Sequence, residues 1–216
     1  SFVVGLVEVV PAGVVLVGPN TDRYEIRELM DYLRAVSVSP DLVLFRVASP
    51  RRAVSGPASD TRVRTAVMRL MLIASTGGHL AQLASVREQW PDLDVHWVTF
   101  RKADAEQRCA GDTVTWAFHP TTRNIPNALR NGRLAWRVLR KERPDVVMSN
   151  GAGVAVPFFI VARLLGIRTA YLEVYDRITM PTLTGRMCYP LTDAFCVQWP
   201  QQQKEYPGSV LVGTVY

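Results

Sequence analysis

The chain has 216 residues, a mass of 24.1 kDa and a formal charge of +6. Apolar residues make up 48% and charged residues 20%, a balance that allows a buried core and excludes general disorder. No apolar run approaches the roughly 18 residues of a membrane-spanning helix, so none is predicted. Three separated cysteines and three scattered histidines predict neither a disulfide framework nor a metal site, and favour a reducing compartment.

The N-terminal part predicts a small β-α-β segment, residues 1–47, of unknown role. Its elements are a strand at 14–17, a helix at 24–36 and a strand at 42–47. Such a segment is too short to bury a full core by itself. Residues 48–67 are rich in Ser, Pro, Gly and Arg and predict a linker, so residues 68–216 form the main unit.

From Met68 onward, short apolar strands alternate with helices. The predicted strands are 69–74, 95–99, 113–117, 145–148, 169–173, 194–197 and 210–211, and the longer helices are 80–89, 127–140 and 154–165. Strands that alternate with helices in this way predict a parallel sheet with helices on both faces, the Rossmann-like α/β architecture.

Two Gly-rich turns follow predicted strands, at 75–79 and at 150–153. In a parallel sheet, ligands gather beyond the carboxyl ends of the strands. Glycines let a ligand approach the backbone, and the N–H groups at a helix start suit a phosphate. His79 could act as a base, a phosphate donor or an orienting group. A purely structural alternative remains open for each turn. In the first, Thr76 only caps the following helix; in the second, the small residues only allow the helix to pack closely on the strand.

A third polar turn begins at Glu173, after another predicted strand, and contains Tyr175, Asp176 and Arg177. The simplest interpretation is an ion pair between Glu173 and Arg177 that holds the loop. The alternative is that Glu173 binds sugar hydroxyls or accepts a proton.

The positive charge concentrates between Arg123 and Arg143, which hold seven bases and one acid. Helical spacing puts the basic residues on one side and apolar residues on the other. The basic residues are Arg130, Arg133, Arg137, Arg140 and Lys141, and the apolar ones are Leu134, Ala135, Val138 and Leu139. Two interpretations of the basic face remain equal. It contacts an anionic membrane or phosphates, or it is only a solvated helix face that keeps the protein soluble. Nucleic acid is disfavoured because no binding motif or aromatic platform accompanies the patch.

Considered together, these motifs resemble the Alg14 family, which includes the bacterial PssD and CpsF-type proteins of polysaccharide synthesis. The resemblance covers about residues 68–216. It rests on Ser75–His79, Thr122–Asn124, Arg143–Asp145, Asn150–Gly153, Pro157, Tyr171–Glu173, Arg177, Leu183–Gly185, Tyr189–Pro190, Asp193, Gln198–Pro200, Tyr206–Pro207 and Gly213. Ala152 and Val174 depart from the family pattern, in which Pro and Ser are usual.

The resemblance implies one half of a GT-B glycosyltransferase, the half that binds the acceptor. An Alg13/PssE-like partner would bind the donor, and the pair would transfer a sugar from a UDP-sugar to a lipid-linked diphosphate sugar. The chain would be inactive alone, need no cofactor, and lie peripherally at the cytoplasmic face of the plasma membrane. A non-catalytic membrane recruiter that enhances its catalytic partner is the alternative. An independent nucleotide-binding enzyme is disfavoured, since no GxGxxG turn with a ribose-binding acid is present.

The resemblance also assigns roles to residues. The expected catalytic residues are His79 and Glu173. The residues expected to bind acceptor or phosphate are Ser75, Thr76, Gly77, Gly78, Arg123, Asn150, Gly151, Gly153 and Arg177. Those expected in the partner-facing or conserved loops are Thr184, Gly185, Gln198 and Trp199.

Overall fold

A computed structural model of the chain describes residues 7–10, 13–16, 68–88, 90 and 93–214. Two N-terminal strands, β1 (Val7–Val10) and β2 (Gly13–Leu16), pair antiparallel in a two-stranded sheet. The strand predicted at 14–17 is thus confirmed, whereas β1 was not predicted. The predicted helix at 24–36, strand at 42–47 and linker at 48–67 lie outside the described residues.

The second sheet and its helices begin at Arg69. The strands are β3 (Arg69–Ile73), β4 (Asp94–Thr99), β5 (Thr113–Trp116), β6 (Val146–Ser149), β7 (Arg168–Leu172), β8 (Ala194–Val197) and β9 (Val210–Leu211). The helices are α1 (Gly78–Glu88), α2 (Ala103–Arg108), α3 (Ile125–Glu142), α4 (Ala155–Leu164), α5 (Leu183–Cys188) and α6 (Gln202–Glu205). A turn of 3₁₀ helix, Tyr189–Leu191, follows α5.

The seven strands from β3 onward form one sheet in the order β5-β4-β3-β6-β7-β8-β9, and every neighbouring pair is parallel. The predicted strands of this sheet are confirmed to within one residue at each end. The sequence did not predict the three short helices α2, α5 and α6.

Helices cover both faces of this sheet. Successive side chains of a strand point to opposite sides, so a strand that is apolar along its length needs cover on both of them. Leu70 and Leu72 of β3 pack in one core cluster with Leu83 of α1. Met71 and Ile73 pack in a second cluster with residues of α3 and α4. The Rossmann-like fold predicted from the sequence is therefore confirmed.

Helix α3 carries the basic face. The Oδ1 atom of Asn124 accepts a hydrogen bond from the Asn127 amide at 2.9 Å and so caps the helix start. Its end lies at Arg143, which has a positive φ of 44° and precedes Pro144. Ala135, Val138 and Leu139 are buried, Leu134 is partly buried, and Arg130, Arg133, Arg137, Arg140 and Lys141 are exposed. The predicted division of this helix into two faces is confirmed.

Strands β3 and β6 lie side by side at the centre of the sheet, but the chain leaves them in opposite directions. From β3 it passes to β4 on one side, and from β6 to β7 on the other. A ligand crevice forms outside the carboxyl ends of strands at such a switch point. The two Gly-rich turns follow these two strands, so the topology brings both of them to the crevice.

Candidate functional site

The turns at 75–79 and 150–153 are hydrogen-bonded to each other. The Nδ2 atom of Asn150 donates to the carbonyl oxygen of His79 at 2.8 Å. The Nδ1 atom of His79 lies 3.1 Å from the carbonyl oxygen of Asn150. Gly151 lies directly against the imidazole, since a Cβ atom there would be 3.0 Å from Cε1 of His79. The structure therefore brings two of the predicted loops into one site.

This contact determines the tautomer of His79. A carbonyl oxygen only accepts hydrogen bonds, so Nδ1 carries the proton and donates to Asn150. In the neutral ring, Nε2 then has the lone pair, and no described group is hydrogen-bonded to it. The side chain is half-buried. His79 is thus held with its basic nitrogen available to a ligand in the crevice.

Gly77 and Gly78 form the exposed rim of the first turn. No atom lies within 4 Å of the position that a Cβ would take at either residue, and Gly77 has a φ of +79°. The Gly77 amide donates to Oδ2 of Asp104, on α2, at 2.8 Å. This amide therefore binds an anionic oxygen in the present structure. The hydroxyl of Ser75 donates at 3.3 Å to the carbonyl of its half-buried neighbour Thr76.

The loop before α3 closes another side of the site. A Cβ on Gly153 would lie 2.9 Å from the carbonyl oxygen of Thr121, so only glycine allows the two loops this approach. Arg123, two residues further, has a φ of 50° and is exposed. The loop thus adds a cation near the edge at which α3 and α4 begin.

Glu173 lies in the interior rather than in the crevice. Its side chain is fully buried, and Oε2 accepts a hydrogen bond from the Tyr206 hydroxyl at 2.6 Å. Oε1 accepts from the Thr182 hydroxyl at 3.0 Å and from the Val174 amide at 3.0 Å. Burial and the bond to Glu173 raise the pKa of Tyr206 above its ordinary value, so this hydroxyl stays a donor. The carboxylate therefore joins the end of β7 to the segments around it.

The expected ion pair between Glu173 and Arg177 was wrong. Arg177 is exposed, and its Nε lies 3.9 Å from Asp176. The chain turns after Val174, whose carbonyl accepts from the Arg177 amide at 3.3 Å, and this turn carries the guanidinium to the surface. Neutral donors satisfy the buried carboxylate instead, so Arg177 is separated from it.

The loop residues predicted after β7 and β8 surround Glu173. Gly185 is buried with no room for a side chain between Glu173, Thr182 and Tyr206. The Nε2 atom of Gln198 donates to the carbonyl of Glu173 at 2.8 Å. Trp199 donates from its indole nitrogen to the carbonyl of Tyr175 at 2.8 Å, and Thr184 is half-buried on α5. Gly185 and Gln198 therefore belong to one buried network with Glu173, whereas Thr184 and Trp199 lie nearer the surface.

Tyr171 connects the two groups. Its hydroxyl is 3.4 Å from Oγ1 of Thr182 and would be 3.1 Å from a Cβ on Gly151. The buried network around Glu173 therefore supports the turn that packs on His79.

The sequence assigned no site role to Gln82, Asp104, Thr182 or Tyr206, although Tyr206 is among the residues that carry the resemblance. Gln82 is buried and accepts from Nδ2 of Asn150 at 3.1 Å. Thr182 had a local signal, because its hydroxyl accepts from the Gly185 amide at 2.8 Å as an N-cap does. Asp104 is 27 residues from Gly77, so no local pattern relates them.

Among the residues that the structure describes, no group of three or more His, Cys, Asp or Glu side chains could hold a metal ion. Over the same described residues, no helix combines the length and the apolar character that crossing a membrane requires.

Residues 119–215 match the family model described as "Oligosaccharide biosynthesis protein Alg14 like". Over these residues the chain is similar to the Alg14-type family. The matched residues run from the loop before α3, through the turn at 150–153, to the network around Glu173. The Alg14-type match thus includes two of the three parts of the site.

Several relatives of this chain carry a common name. The human "UDP-N-acetylglucosamine transferase subunit ALG14" is 34% identical over 88 residues, which are 38% of this chain and 41% of that protein. The Candida albicans protein of the same name is 24% identical over 161 residues, 64% of this chain and 74% of that protein. The chain thus spans about two fifths of the human relative.

A second type of relative is a full-length transferase. The Moorella thermoacetica N-acetylglucosamine transferase named for pyrophosphoryl-undecaprenol is 28% identical over 156 residues, 65% of this chain and 41% of that protein. Among solved structures, Acinetobacter baumannii MurG superposes with a TM-score of 0.55 at 20% identity, covering 68% of this chain and 44% of MurG. The chain therefore has the Rossmann-like fold of one half of a GT-B enzyme.

Proposed function

We propose that this chain is the acceptor-side subunit of a two-part glycosyltransferase that extends a lipid-linked diphosphate sugar. The observation that carries the proposal is the position of His79 between two Gly-rich turns at the switch point, with Nε2 directed to no described protein group. The names of the relatives, UDP-N-acetylglucosamine transferase subunits, support the same reaction class.

In the proposed step, Nε2 of His79 removes the proton from a hydroxyl of the acceptor sugar. The hydroxyl oxygen attacks the anomeric carbon of a UDP-sugar, a new glycosidic bond forms, and the bond from that carbon to the phosphate oxygen breaks. UDP leaves with the electron pair, and His79 becomes an imidazolium that the Asn150 carbonyl stabilises through Nδ1. General base catalysis of this kind contributes about 10²–10⁴-fold.

The acceptor diphosphate binds at the first turn in this proposal. The amides of Gly77 and Gly78 open the 11-residue helix α1, and both glycines are exposed. A helix start offers unpaired N–H groups and a positive dipole end, which suit phosphate oxygens. Arg123 supplies a charge at the neighbouring loop. The diphosphate takes the Gly77 amide that Asp104 now occupies.

Glu173 acts as a positioning residue in this scheme. Its oxygens already accept from Tyr206, Thr182 and Val174 in the interior, so it has no access to a sugar without opening the network. It holds the chain between β7 and α5, and through Tyr171 it supports Gly151.

An Alg13/PssE-like partner would bring the UDP-sugar to the carboxyl edge of the sheet. Exposed apolar side chains lie there on the segment that Glu173 holds: Met180 is 68% exposed and Leu183 is 74% exposed. Apolar side chains of this kind favour a protein contact over solvent. Thr184 and Trp199 belong to the same part of the chain.

The basic face of α3 would hold the complex at an anionic membrane surface, on the cytoplasmic face where UDP-sugars are present. Leu129 and Trp136 are exposed beside Arg133 and Arg137 on this helix. Apolar side chains next to bases are the composition that favours the headgroup region.

A second candidate function, a non-catalytic recruiter, has one observation in its favour. Glu173 is enclosed, so His79 is the single residue of the proposed catalytic pair that lies in the crevice. A recruiter would use the same surfaces for partner and membrane, and would leave proton transfer to its partner.

Reconstitution with an Alg13-like protein tests the proposal and separates the two functions. The mixture should transfer sugar from a UDP-sugar, and the single chain should not. His79→Gln should lower kcat by roughly 10²-fold or more while the partner's Kd is unchanged. His96→Gln is the matched control, because His96 bonds to Thr115 between strands. Near-normal kcat in His79→Gln would favour the recruiter, and robust transfer by the chain alone would exclude the two-part enzyme.

A further inference from the structure

A groove of about 830 Å³ runs between α3 and α4. Its floor is mainly apolar, formed by Leu129, Trp136, Val156, Pro157 and Ile160. Trp136 is 44% exposed and Ile160 is 45% exposed, whereas side chains of this type are usually covered. None of these residues belongs to the site around His79, and Leu129 and Trp136 also lie on the face of α3 proposed to meet the membrane.

The groove starts where the candidate site ends. Helix α3 follows the loop that contains Thr121 and Arg123, and α4 follows the turn at 150–153. Gly153 packs on Thr121, so the two loops are in contact where both helices begin. The groove is lined from Ala128 on α3 and from Val156 on α4, within one turn of each helix start. It therefore leads away from the crevice along both helices.

The charges along the groove have one sign. Arg133, Arg137 and Arg140 line it together with the apolar residues, and no carboxylate lines its described wall. The guanidinium of Arg140 lies 5.4 Å from the ring centre of Trp136, which places a cation directly above the apolar floor. A ligand that matches both features has a long apolar chain and an anionic head.

We propose that this groove seats the first part of the isoprenoid chain of the acceptor. The inference rests on the proposed function and deepens it. The diphosphate binds at the Gly-rich turns, the isoprenoid chain leaves along α3 and α4, and the arginines further along α3 face the phosphate headgroups of neighbouring lipids. A Cβ on Gly132 would lie 4.0 Å from Cβ of Pro157, so α3 and α4 approach each other closely at this point of the groove.

The test measures binding of three soluble probes to the full chain by calorimetry. Inorganic pyrophosphate supplies the head alone, and geranyl and farnesyl diphosphate add chains of increasing length. Affinity should increase with chain length, with about a tenfold gain from pyrophosphate to farnesyl diphosphate, because buried apolar groups add to binding. Trp136 should report the chain by a blue shift of its fluorescence, and Trp136→Phe should lose that signal.

Two variants of α4 locate the chain. Ile160→Asp puts a charge in the groove and should remove the gain from chain length while pyrophosphate binding stays unchanged. Leu164→Asp is the matched control, because Leu164 is 71% exposed on the same helix and lies outside the groove lining. Both positions are exposed, so both variants should fold, as circular dichroism and thermal melting would verify.

Several results would overturn the assignment. Equal affinity of pyrophosphate and farnesyl diphosphate would show that no chain site exists. Equal losses in the two Asp variants would indicate general apolar adsorption. A dimer in light scattering that Ile160→Asp dissociates would assign the groove to a second copy. If the reconstituted pair transfers no sugar but affinity still increases with chain length, the proposed function is wrong and the groove still binds the chain. If the pair transfers sugar but affinity does not increase with chain length, the proposed function stands and the groove assignment is wrong.

Discussion

The backbone amide of Gly77 donates a 2.8 Å hydrogen bond to the carboxylate of Asp104. One residue belongs to the turn after β3 and the other to α2, the helix that follows β4 along the chain. The carboxylate occupies the amide that a phosphate oxygen of the acceptor would need. Asp104 therefore holds the turn in the present structure and, under the proposed function, would compete with the anionic ligand.

Asp104→Asn should strengthen pyrophosphate binding. The amide oxygen of Asn still accepts from Gly77, but the charge that repels the ligand is removed. Since Asp104 is partly exposed, we expect the free energy of pyrophosphate binding to become more favourable by about 0.2–1 kcal/mol, which lowers Kd by up to about fivefold. Glu106→Gln is the control. It removes the same charge two residues further along α2, where the carboxylate accepts a hydrogen bond from Arg101. If calorimetry shows equal gains in both variants, the effect is only the change in net charge.

Gly151→Ala should cost both stability and activity. The residue has a φ of +122°, and its Cβ would lie 3.0 Å from His79 and 3.1 Å from the Tyr171 hydroxyl. Gly166→Ala is the control, since Gly166 has a φ of +68° with no atom within 4 Å. Backbone strain of about 1–3 kcal/mol should appear in the urea unfolding of both variants. Only Gly151→Ala should also displace His79 and lower transfer; equal activity in the two would contradict this role.

Tyr206→Phe should destabilise the fold more than Tyr189→Phe does. Tyr206 donates to the buried carboxylate of Glu173 at 2.6 Å, whereas Tyr189 donates to the neutral carbonyl of Pro207 nearer the surface. Hydrogen bonds to charged groups contribute about 1.5–3 kcal/mol, and neutral ones about 0.5–1.5 kcal/mol. Unfolding in urea measures both. A smaller loss in Tyr206→Phe would show that Thr182 and Val174 satisfy Glu173 by themselves.

Replacing Arg133 and Arg137 with Gln should weaken binding to anionic vesicles. Each base near such a surface contributes about 1 kcal/mol, so the double variant should bind at least about tenfold more weakly, and salt should reduce the difference. A variant with Gln at Arg101 and Arg108 loses the same charge from other exposed positions. Equal weakening of both in a sedimentation assay would leave α3 as a solvated face.

The free energy of unfolding should fall as pH rises from about 9 to 12. Burial raises the pKa of Cys196 from an ordinary value of 9.0 to about 12, and burial with the charge of Glu173 raises the pKa of Cys188 to about 12. The unfolded chain loses these protons first, so the stabilisation is complete below pH 9 and decreases above it, by at most about 1.4 kcal/mol per pH unit for each thiol. In Cys196→Ala the free energy of unfolding should depend less steeply on pH over this range. An unchanged pH dependence would contradict the contribution of this thiol.

The long elements of the main sheet were predictable because each buries a periodic apolar stretch. Leu70 to Ile73 alternate between two cores, and α3 separates its bases from Ala135 and Val138. The helices α2 and α5 have six residues each, which is too few for a helical period to show. The Thr182 hydroxyl caps the start of α5, whereas Lys102 before α2 provides no side-chain cap.

The Gly-rich turns of the candidate site were predictable, but their partners were not. Sequence order indicates that Ser75–His79 and Asn150–Gly153 follow strands, and strand direction then places them together. Nothing local indicates that Asp104 bonds to Gly77, or that Tyr206 bonds to Glu173, because these pairs are 27 and 33 residues apart. The spacing of Glu173 and Arg177 suggested an ion pair. In the structure the carboxylate of Glu173 is buried and accepts hydrogen bonds from neutral donors instead.

The adjacency of β3 and β6 has a consequence for how the protein folds. The Ser149 hydroxyl donates to the Ile73 carbonyl across a separation of 76 residues, and the Arg69 amide donates to Asp145 across the same separation. Contacts between distant parts of a chain form slowly, because loop entropy must be lost before they stabilise anything. During synthesis, the two Gly-rich turns can therefore come into contact only after β6 and the turn that follows it have emerged from the ribosome.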